Sequence, residues 1–427
     1  MSKYEKYKPS GIDWIGEVPF HWQRQRIKTI SENLDGKRVP LNSAERFDVS
    51  GDIPYYGATG IVDYVSDFLF DEELVLIGED GAPFFEPIKD VSFIIQGKSW
   101  VNNHAHVLRC YKNRITPKFL MHWLNVVDYA NHIKGSTRDK LNQKDLGGIE
   151  VYSPILSEQL TISIYLDDQT QKIDLLIANK KGQAEKLKEL RQIEINNAVT
   201  KGLNPNAELK DSGIDWLGEI PKHWTVKRLK NVSNFIQTGI TPPSEKSEYY
   251  DGDIPWYGPG GFSGDTILSN PAKYITQKAI DDNEAKLFPI DCIFMIGIGA
   301  TIGKVGIIKE PSSCNQQLNI VNFKNYVSPD FGVYLLKTYE NIIIKIANFS
   351  TLPIYNQVQT GNLKFLLPPK EEQLQIAKYL QERTAAIDKL IMNIDTQIEK
   401  LQELRKIIIY EAVTGKIKVN AYVEATA

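Results

Sequence analysis

Residues 10–22 read SGIDWIGEVPFHW, and residues 212–224 read SGIDWLGEIPKHW. Ten of thirteen positions are identical, the exceptions being Ile15/Leu217, Val18/Ile220 and Phe20/Lys222. A second pair, EKLKELR (185–191) and EKLQELR (399–405), agrees at six of seven positions, and GDIPYYGATG (51–60) answers GDIPWYGPGG (252–261). The order is the same in both halves, so the chain is a duplicated module of about 200 residues. The opening motif recurs at an offset of 202, from 10 to 212, and the EKL motif at 214, from 185 to 399, so the second copy carries about 12 extra residues. The shared parts lie at the ends of each copy, whereas the middles, roughly 61–132 and 262–345, have drifted apart. A common frame with unlike middles suits a protein that grips two similar but non-identical things.

At 427 residues, with 42% hydrophobic and 24% charged side chains, the chain is long enough for two or more soluble domains. The opening MSKYEKYKPS lacks an apolar signal region, and no apolar run approaches a membrane span. Three separated cysteines without a CxxC argue against a disulfide or zinc framework and for a reducing cytoplasm. A net charge of −3 is not that of a generic DNA-coating protein. Charge is uneven, however. Arg24, Arg26, Lys28, Lys37 and Arg38 crowd one stretch, Lys222, Lys227, Arg228 and Lys230 the equivalent one, and Lys134, Arg138, Lys140 and Lys144 a third.

Each middle reads as mixed α and β. Short β-prone runs (74–77, 91–95 and 107–108; 293–296, 305–308 and 320–323) precede helical stretches expected over 117–129 and 329–343, each with Pro in its first turn. Each copy then ends in helices, expected as 157–168 followed by 169–199, and 371–382 followed by 383–413. The longer of each pair would span roughly 45 Å. Ile387, Leu390, Ile394, Gln397, Leu401, Leu404 and Ile408 alternate by three and four as a heptad seam, and the offset of 214 gives Ile173, Leu176, Lys180, Gln183, Leu187, Leu190 and Glu194. These helices are expected to pair as an antiparallel spacer. The fold class is α+β, with an internal pseudo-two-fold repeat. The expected divisions are 1–155 and 204–368 for the two mixed domains, and 156–203 and 369–427 for the helices.

No catalytic constellation emerges. GIGATIGKV (297–305) misses the Walker A spacing and has Val305 where Ser or Thr would hold magnesium, so it reads as a Gly-rich turn between strands. His104-Ala-His106 has no partner at metal-ligand spacing, and no metal site is expected. Groups able to read base edges are present instead. SWVNNHAHVL (99–108) and SSCNQQLNIV (312–321) occupy matching places and are dense in Asn, Gln and His. Asn and Gln can bond adenine bidentately, and Arg or Lys can do so with guanine. The candidate DNA contacts are Lys37, Arg38, Tyr55, Tyr56, Lys98, Asn102, Asn103, His104, Arg138 and Lys140 in the first copy, and Trp256, Tyr257, Lys304, Asn315, Gln316 and Gln317 in the second.

Together, the duplicated SGIDW motif, PPKEEQ (368–373) leading into a long helix, and the AVT endings at 198–200 and 412–414 resemble the specificity subunit of a type I DNA restriction-modification system. The first copy departs at the Pro-Pro element, reading SPILSEQ (153–159), but keeps Glu158-Gln159. The resemblance implies two target-recognition domains, each binding half of a split, asymmetric double-stranded DNA site, with a coiled coil setting the gap. It implies no catalysis by this chain. Two modification subunits using S-adenosylmethionine would methylate adenine, and restriction subunits using ATP and Mg would cleave. The rival readings are a stand-alone methyltransferase or nuclease, whose nearest motif, Asn270-Pro271-Ala272, lacks the needed second Pro and aromatic, and a coiled-coil scaffold with no DNA role.

Overall fold

The computed structural model describes residues 2–86, 88–133, 139–347 and 353–420. The chain divides into two compact units, Met1–Gln183 with Ile394–Ala427, and Ala184–Asn393.

In the first unit, strands Tyr7–Pro9 and Glu17–Pro19 pair antiparallel and deliver Trp22 into the core with no exposed surface. Strand Gln23–Arg26 then pairs with Glu150–Ser153, so the two ends of the divergent middle leave the frame side by side. The middle holds two four-stranded sheets. One is antiparallel, in the order Ser31–Asn33, Ala105–Cys110, Leu74–Gly78, Ser92–Ile95. The other, in the order Gly60–Val65, Ser50–Gly57, Lys98–Val101, Phe70–Asp71, contains a parallel pairing of Trp100 with Tyr55 and Val101 with Tyr56. Helix Pro117–Leu124 starts where the Thr116 hydroxyl accepts the Phe119 amide, and buries Phe119, Leu120, Trp123 and Leu124. It stops before the expected residue 129 because Asn125 turns its side chain onto the backbone of Val91 and Ser92.

The second unit rebuilds this plan. Strands Glu219–Pro221 and Leu209–Asp211 pair, Trp224 is fully buried, and Thr225–Arg228 pairs with Lys364–Leu367. Its larger sheet runs Ser233–Thr238, Leu318–Phe323, Ile293–Ile296, Val305–Ile307, and its smaller one Lys273–Ile275, Tyr250–Tyr257, Ser313–Cys314. The parallel pairing recurs as Trp256 with Ser313 and Tyr257 with Cys314. The helix expected over 329–343 is two, Pro329–Lys337 and Glu340–Ala347, broken where the Thr338 hydroxyl donates to the Leu335 carbonyl.

The paired helices expected at the end of each copy are each one unbroken helix, Leu156–Lys201 of 46 residues and Lys370–Val413 of 44. No proline interrupts either, and a single exposed Gly182 costs only about 1 kcal/mol in a helix interior. Each start is tied to the frame by its Glu-Gln pair. Glu158 accepts from the Trp22 indole at 3.2 Å and meets His21 at 2.9 Å, while Glu372 accepts from Trp224 at 3.0 Å and meets His223 at 2.8 Å. Gln159 and Gln373 bond the Pro154 and Pro368 carbonyls and accept the amides of Thr116 and Ser328. The Glu-Gln pair does this work in both copies, so losing the second proline in SPILSEQ changes nothing at the joint.

In the second unit the long helices run antiparallel. Arg191 Nε lies 2.9 Å from Asp388 Oδ1, off the hydrogen-bond direction but close enough for charge attraction. Glu194 meets Arg383 at 3.2 Å and Tyr379 at 2.7 Å, so partner numbers fall as the first helix rises. The first unit repeats the Arg–Asp pair with the helices exchanged, Arg405 to Asp174 at 3.2 Å. The buried seam differs from the expected one. It passes through buried Ile173, Ile177 and Ala184 and half-buried Leu187 on the first helix, and buried Ile387, Ile394 and Ile398 and half-buried Leu401 and Ile408 on the second. Leu176, Leu190, Leu390 and Leu404 are exposed instead, by 49%, 36%, 51% and 44%. The spacing is four-then-three rather than three-then-four. Half-buried Arg191 and Arg405 take the seam places beside Leu190 and Leu404, and their charges find the facing aspartates.

Candidate nucleic-acid interface

Each parallel strand runs into the same turn. Asn102 donates its amide to the Tyr56 carbonyl and accepts the His104 amide with its side chain at 2.8 Å. Asn315 donates to Tyr257 and accepts the Gln317 amide at 3.0 Å. Both asparagines are therefore buried turn-formers, which leaves Asn103 and Gln316 exposed at the tips and His104 and Gln317 half-exposed beside them.

Behind each turn lie two further segments held in one hydrogen-bonded order. The His104 carbonyl accepts from Glu79 N at 2.7 Å, and the Glu79 carbonyl from Leu141 N at 2.8 Å. In the other module, Gln317 accepts from Gly297 N at 2.8 Å and Gly297 from Tyr355 N at 2.7 Å. A buried polar side chain locks each stack from within. His106 Nε2 meets the Leu141 carbonyl at 2.7 Å, and Asn319 Nδ2 donates to the Tyr355 carbonyl at the same distance. Asp80 pairs with Lys140, and Ile298 with Ile354, as matching isolated bridges. The two modules thus build one three-segment platform with different chemistry at its tips. At Glu79's place the second module has Gly297, where a β-carbon would lie 2.6 Å from Asn319 Nδ2.

The first platform is charged inside. His106, fully buried, sets Nδ1 2.5 Å from Asp35 Oδ2, and Arg38 reaches both Asp35 and Glu79 as well as the Ala105 carbonyl. Lys140 meets Glu79 at 3.1 Å. Asp35, Glu79 and His106 bring potential ligand atoms within 4.8 Å of one another, and Arg38 and Lys140 answer their negative charge. Burial alone would raise the Asp35 carboxyl. The hydrogen bonds and charge of His106, with the Val107 amide and Gln143, outweigh it and hold the group at about 2.

A cleft opens at each turn. The first, of about 500 Å³, includes Tyr55, Asp80, Asn102, Asn103 and His104 in its lining, and the second, of about 320 Å³, includes Thr238, Gln316, Gln317, Asn356 and Gln357. The structure therefore gathers Arg38, Asn102, Asn103, His104 and Lys140 on one platform and Asn315, Gln316 and Gln317 on the other. Tyr55, Trp256 and Tyr257 are buried, their polar atoms bonded to backbone at Leu41, Ile240 and Leu268. Tyr56 is half-buried against Phe93. Lys37 is exposed in the turn before Arg38, Lys98 lies over the Phe68 ring at the far end of its strand, and half-buried Lys304 closes the Gly-rich hairpin turn. Arg138 lies outside the described residues. Sequence reasoning placed Lys140 among the candidates but missed the rest of the third segment. Its signal was the dipeptide Asn142-Gln143, repeated as Asn356-Gln357 at the 214 offset of the frame, just beyond the divergent middles.

Known proteins resemble this chain in sequence and in fold. A putative type I restriction enzyme specificity subunit of Haemophilus influenzae is 29% identical over 88% of this chain and 91% of its own length. The type I restriction enzyme MjaVIII specificity subunit of Methanocaldococcus jannaschii is 26% identical over 94% of both. A chain solved in a study of complex assembly in the type I R-M system shares the fold, with a TM-score of 0.70 at 16% identity over 94% of this chain and 99% of that one. The family model described as the type I restriction modification DNA specificity domain matches twice, at residues 19–186 and 221–400, once on each platform and its helix, and the chain belongs to that family.

Proposed function

We propose that the chain is the DNA-reading subunit of a type I restriction-modification complex. Each module reads one half of a split, asymmetric double-stranded site, and partner subunits carry out adenine methylation and cleavage. The observation that carries this reading is the duplicated platform with unlike tips, Asn103 and His104 on one and Gln316 and Gln317 on the other. Identical readers would demand a palindrome, whereas unlike readers on one frame fit unlike half-sites. In this reading the chain positions DNA and catalyses nothing. S-adenosylmethionine is used by the modification subunits, ATP and Mg by the restriction subunits, and the complex works in the cytoplasm. No described helix is long and apolar enough to cross a membrane.

Two copies of the modification subunit are supported by a second stripe on the long helices. Leu176, Asn179, Gln183, Lys186, Leu190 and Ile193 are all exposed, and all recur unchanged and exposed as Leu390, Asn393, Gln397, Lys400, Leu404 and Ile407. Core packing does not explain identity on an open face. Two equal docking faces for one kind of partner do.

The test is to express the chain with its modification subunit and map methylated adenines across a genome. A bipartite, asymmetric motif that vanishes without this chain is expected. Methylation by the purified chain alone, or an unchanged motif in its absence, would refute the reading.

A further inference from the structure

Asn142-Gln143 and Asn356-Gln357 recur at the 214 offset in the segments LNQKDLGG and YNQVQTGN, whose one other identity is Gly147/Gly361. The asparagines have a local reason to be kept. Asn142 accepts the Asp145 amide at 2.9 Å and Asn356 the Gln359 amide at 3.0 Å, each capping the short helix that follows. The glutamines cap no helix, and both are exposed.

Their orientation is nevertheless fixed, and in the same sense. Gln143 Nε2 donates to Asp35 Oδ2 at 2.9 Å, and Gln357 Nε2 donates to Thr238 Oγ1 at 3.2 Å. Asp35 and Thr238 hold one place in the two modules, each set against the residue four beyond the turn asparagine, His106 and Asn319. A carboxylate only accepts, so the Gln143 amide nitrogen must face inward and its oxygen outward. The inward partner has drifted from Asp to Thr while the outward group has not. A tether kept for the fold would show the opposite pattern. Neither Oε1 is bonded to a described residue, and Gln357 stands in the cleft with Gln316 and Gln317.

Two readers of different sequences can share only what their half-sites share. An outward amide oxygen beside one free N–H matches the adenine major-groove edge, with its N6–H donor and N7 acceptor. We infer that Gln143 and Gln357 are a matched pair of specificity-determining residues, one per module, each contacting an adenine present in both half-sites. The inference rests on the DNA-reading function proposed above.

The test uses the chain in complex with its modification subunits, and duplexes in which each adenine of the site is replaced in turn by 7-deazaadenine. In the wild-type complex, one adenine per half-site should show weaker binding on loss of N7. Gln143→Met and Gln357→Met should each weaken binding to the normal site roughly 10- to 100-fold and leave random DNA unaffected. In each variant the deaza substitution at that module's adenine should add no further loss. Equal losses on specific and random DNA, or full additivity with every deaza position, would overturn the assignment. If a variant melts early, the wild-type scan decides alone, and a half-site in which no adenine depends on N7 overturns it. A wild-type complex with no sequence preference would instead overturn the DNA-reading function itself.

Discussion

Trp22 and Trp224 close their modules against one glycine each. Gly415 has φ +73°, and a β-carbon there would lie 2.3 Å from Pro19 Cδ and 3.3 Å from the Trp22 ring. Gly202, at φ +72°, would bring its β-carbon 2.9 Å from Glu372 Oε1 and 3.3 Å from Trp224. Left-handed backbone costs an L-residue about 1–2 kcal/mol before any clash. Gly415→Ala should therefore destabilise the first unit by more than Gly202→Ala does the second, because a carboxylate swings aside and a proline ring does not. Denaturant unfolding of the two variants checks the order. Asp35 gives a second prediction at this scale. Its folded carboxyl is held at about 2 against 3.8 ordinarily, so it favours folding above pH 4 and the benefit is lost as pH falls toward 2. At neutral pH that is worth about 2 kcal/mol. Hydrogen exchange at the Val107 amide, which donates to Asp35, should quicken relative to neighbouring strands over that window. Asp35→Asn should flatten the dependence, and identical acid profiles in both proteins would remove Asp35 as the cause.

At the level of elements, the long helices show what a heptad pattern can and cannot reveal. Their existence and antiparallel pairing follow from a proline-free, amphipathic run repeated at a fixed offset, whereas the breaks expected after 168 and 382 are absent. The seam is harder to read, because Leu176-Ile177 and Leu390-Ile391 offer an apolar residue at either spacing, and three-then-four and four-then-three alternations fit equally well. The reciprocal pairs of Arg191 with Asp388 and Arg405 with Asp174 break that tie, and they are invisible until the two helices are aligned. The paired candidate turns were legible because Asn, Gln and His clustered at matching places. Most of their third segment was not, since hydrogen bonds from Leu141 to Glu79 and from Tyr355 to Gly297 join residues far apart in the chain. The corrected seam predicts that Ile398→Ala costs about 2–4 kcal/mol of unfolding free energy. Leu404→Gln, on the exposed stripe, should change stability by less than about 0.5 kcal/mol and instead weaken capture of the modification subunit. Comparable destabilisation by the two would restore the three-then-four seam.

For the whole molecule, the frame is what repeats and the readers are what differ, so a reader should be exchangeable as a block. The structure fixes where that block ends. Ile27 donates its amide to the Ile149 carbonyl, and strand Gln23–Arg26 pairs with Glu150–Ser153. A replacement of residues 31–148 therefore leaves the frame's own strand pair untouched. A cut at 132 would leave Lys140, Leu141 and Gln143 of the old reader facing a new residue at Glu79, His106 and Asp35, whose hydrogen bonds to them assemble the platform. Exchanging 31–148 for the matching block of another family member should thus give a methylome in which one half-site is wholly that of the donor and the other is unchanged. Exchanging only 31–132 should give weak modification, because the turn would rest on a mismatched third segment. The modular reading would be wrong if the longer exchange altered both half-sites. If the shorter exchange transferred specificity at full strength, the third segment would be no part of the reader, and the pairing of Gln143 with Asp35 would lose its functional meaning.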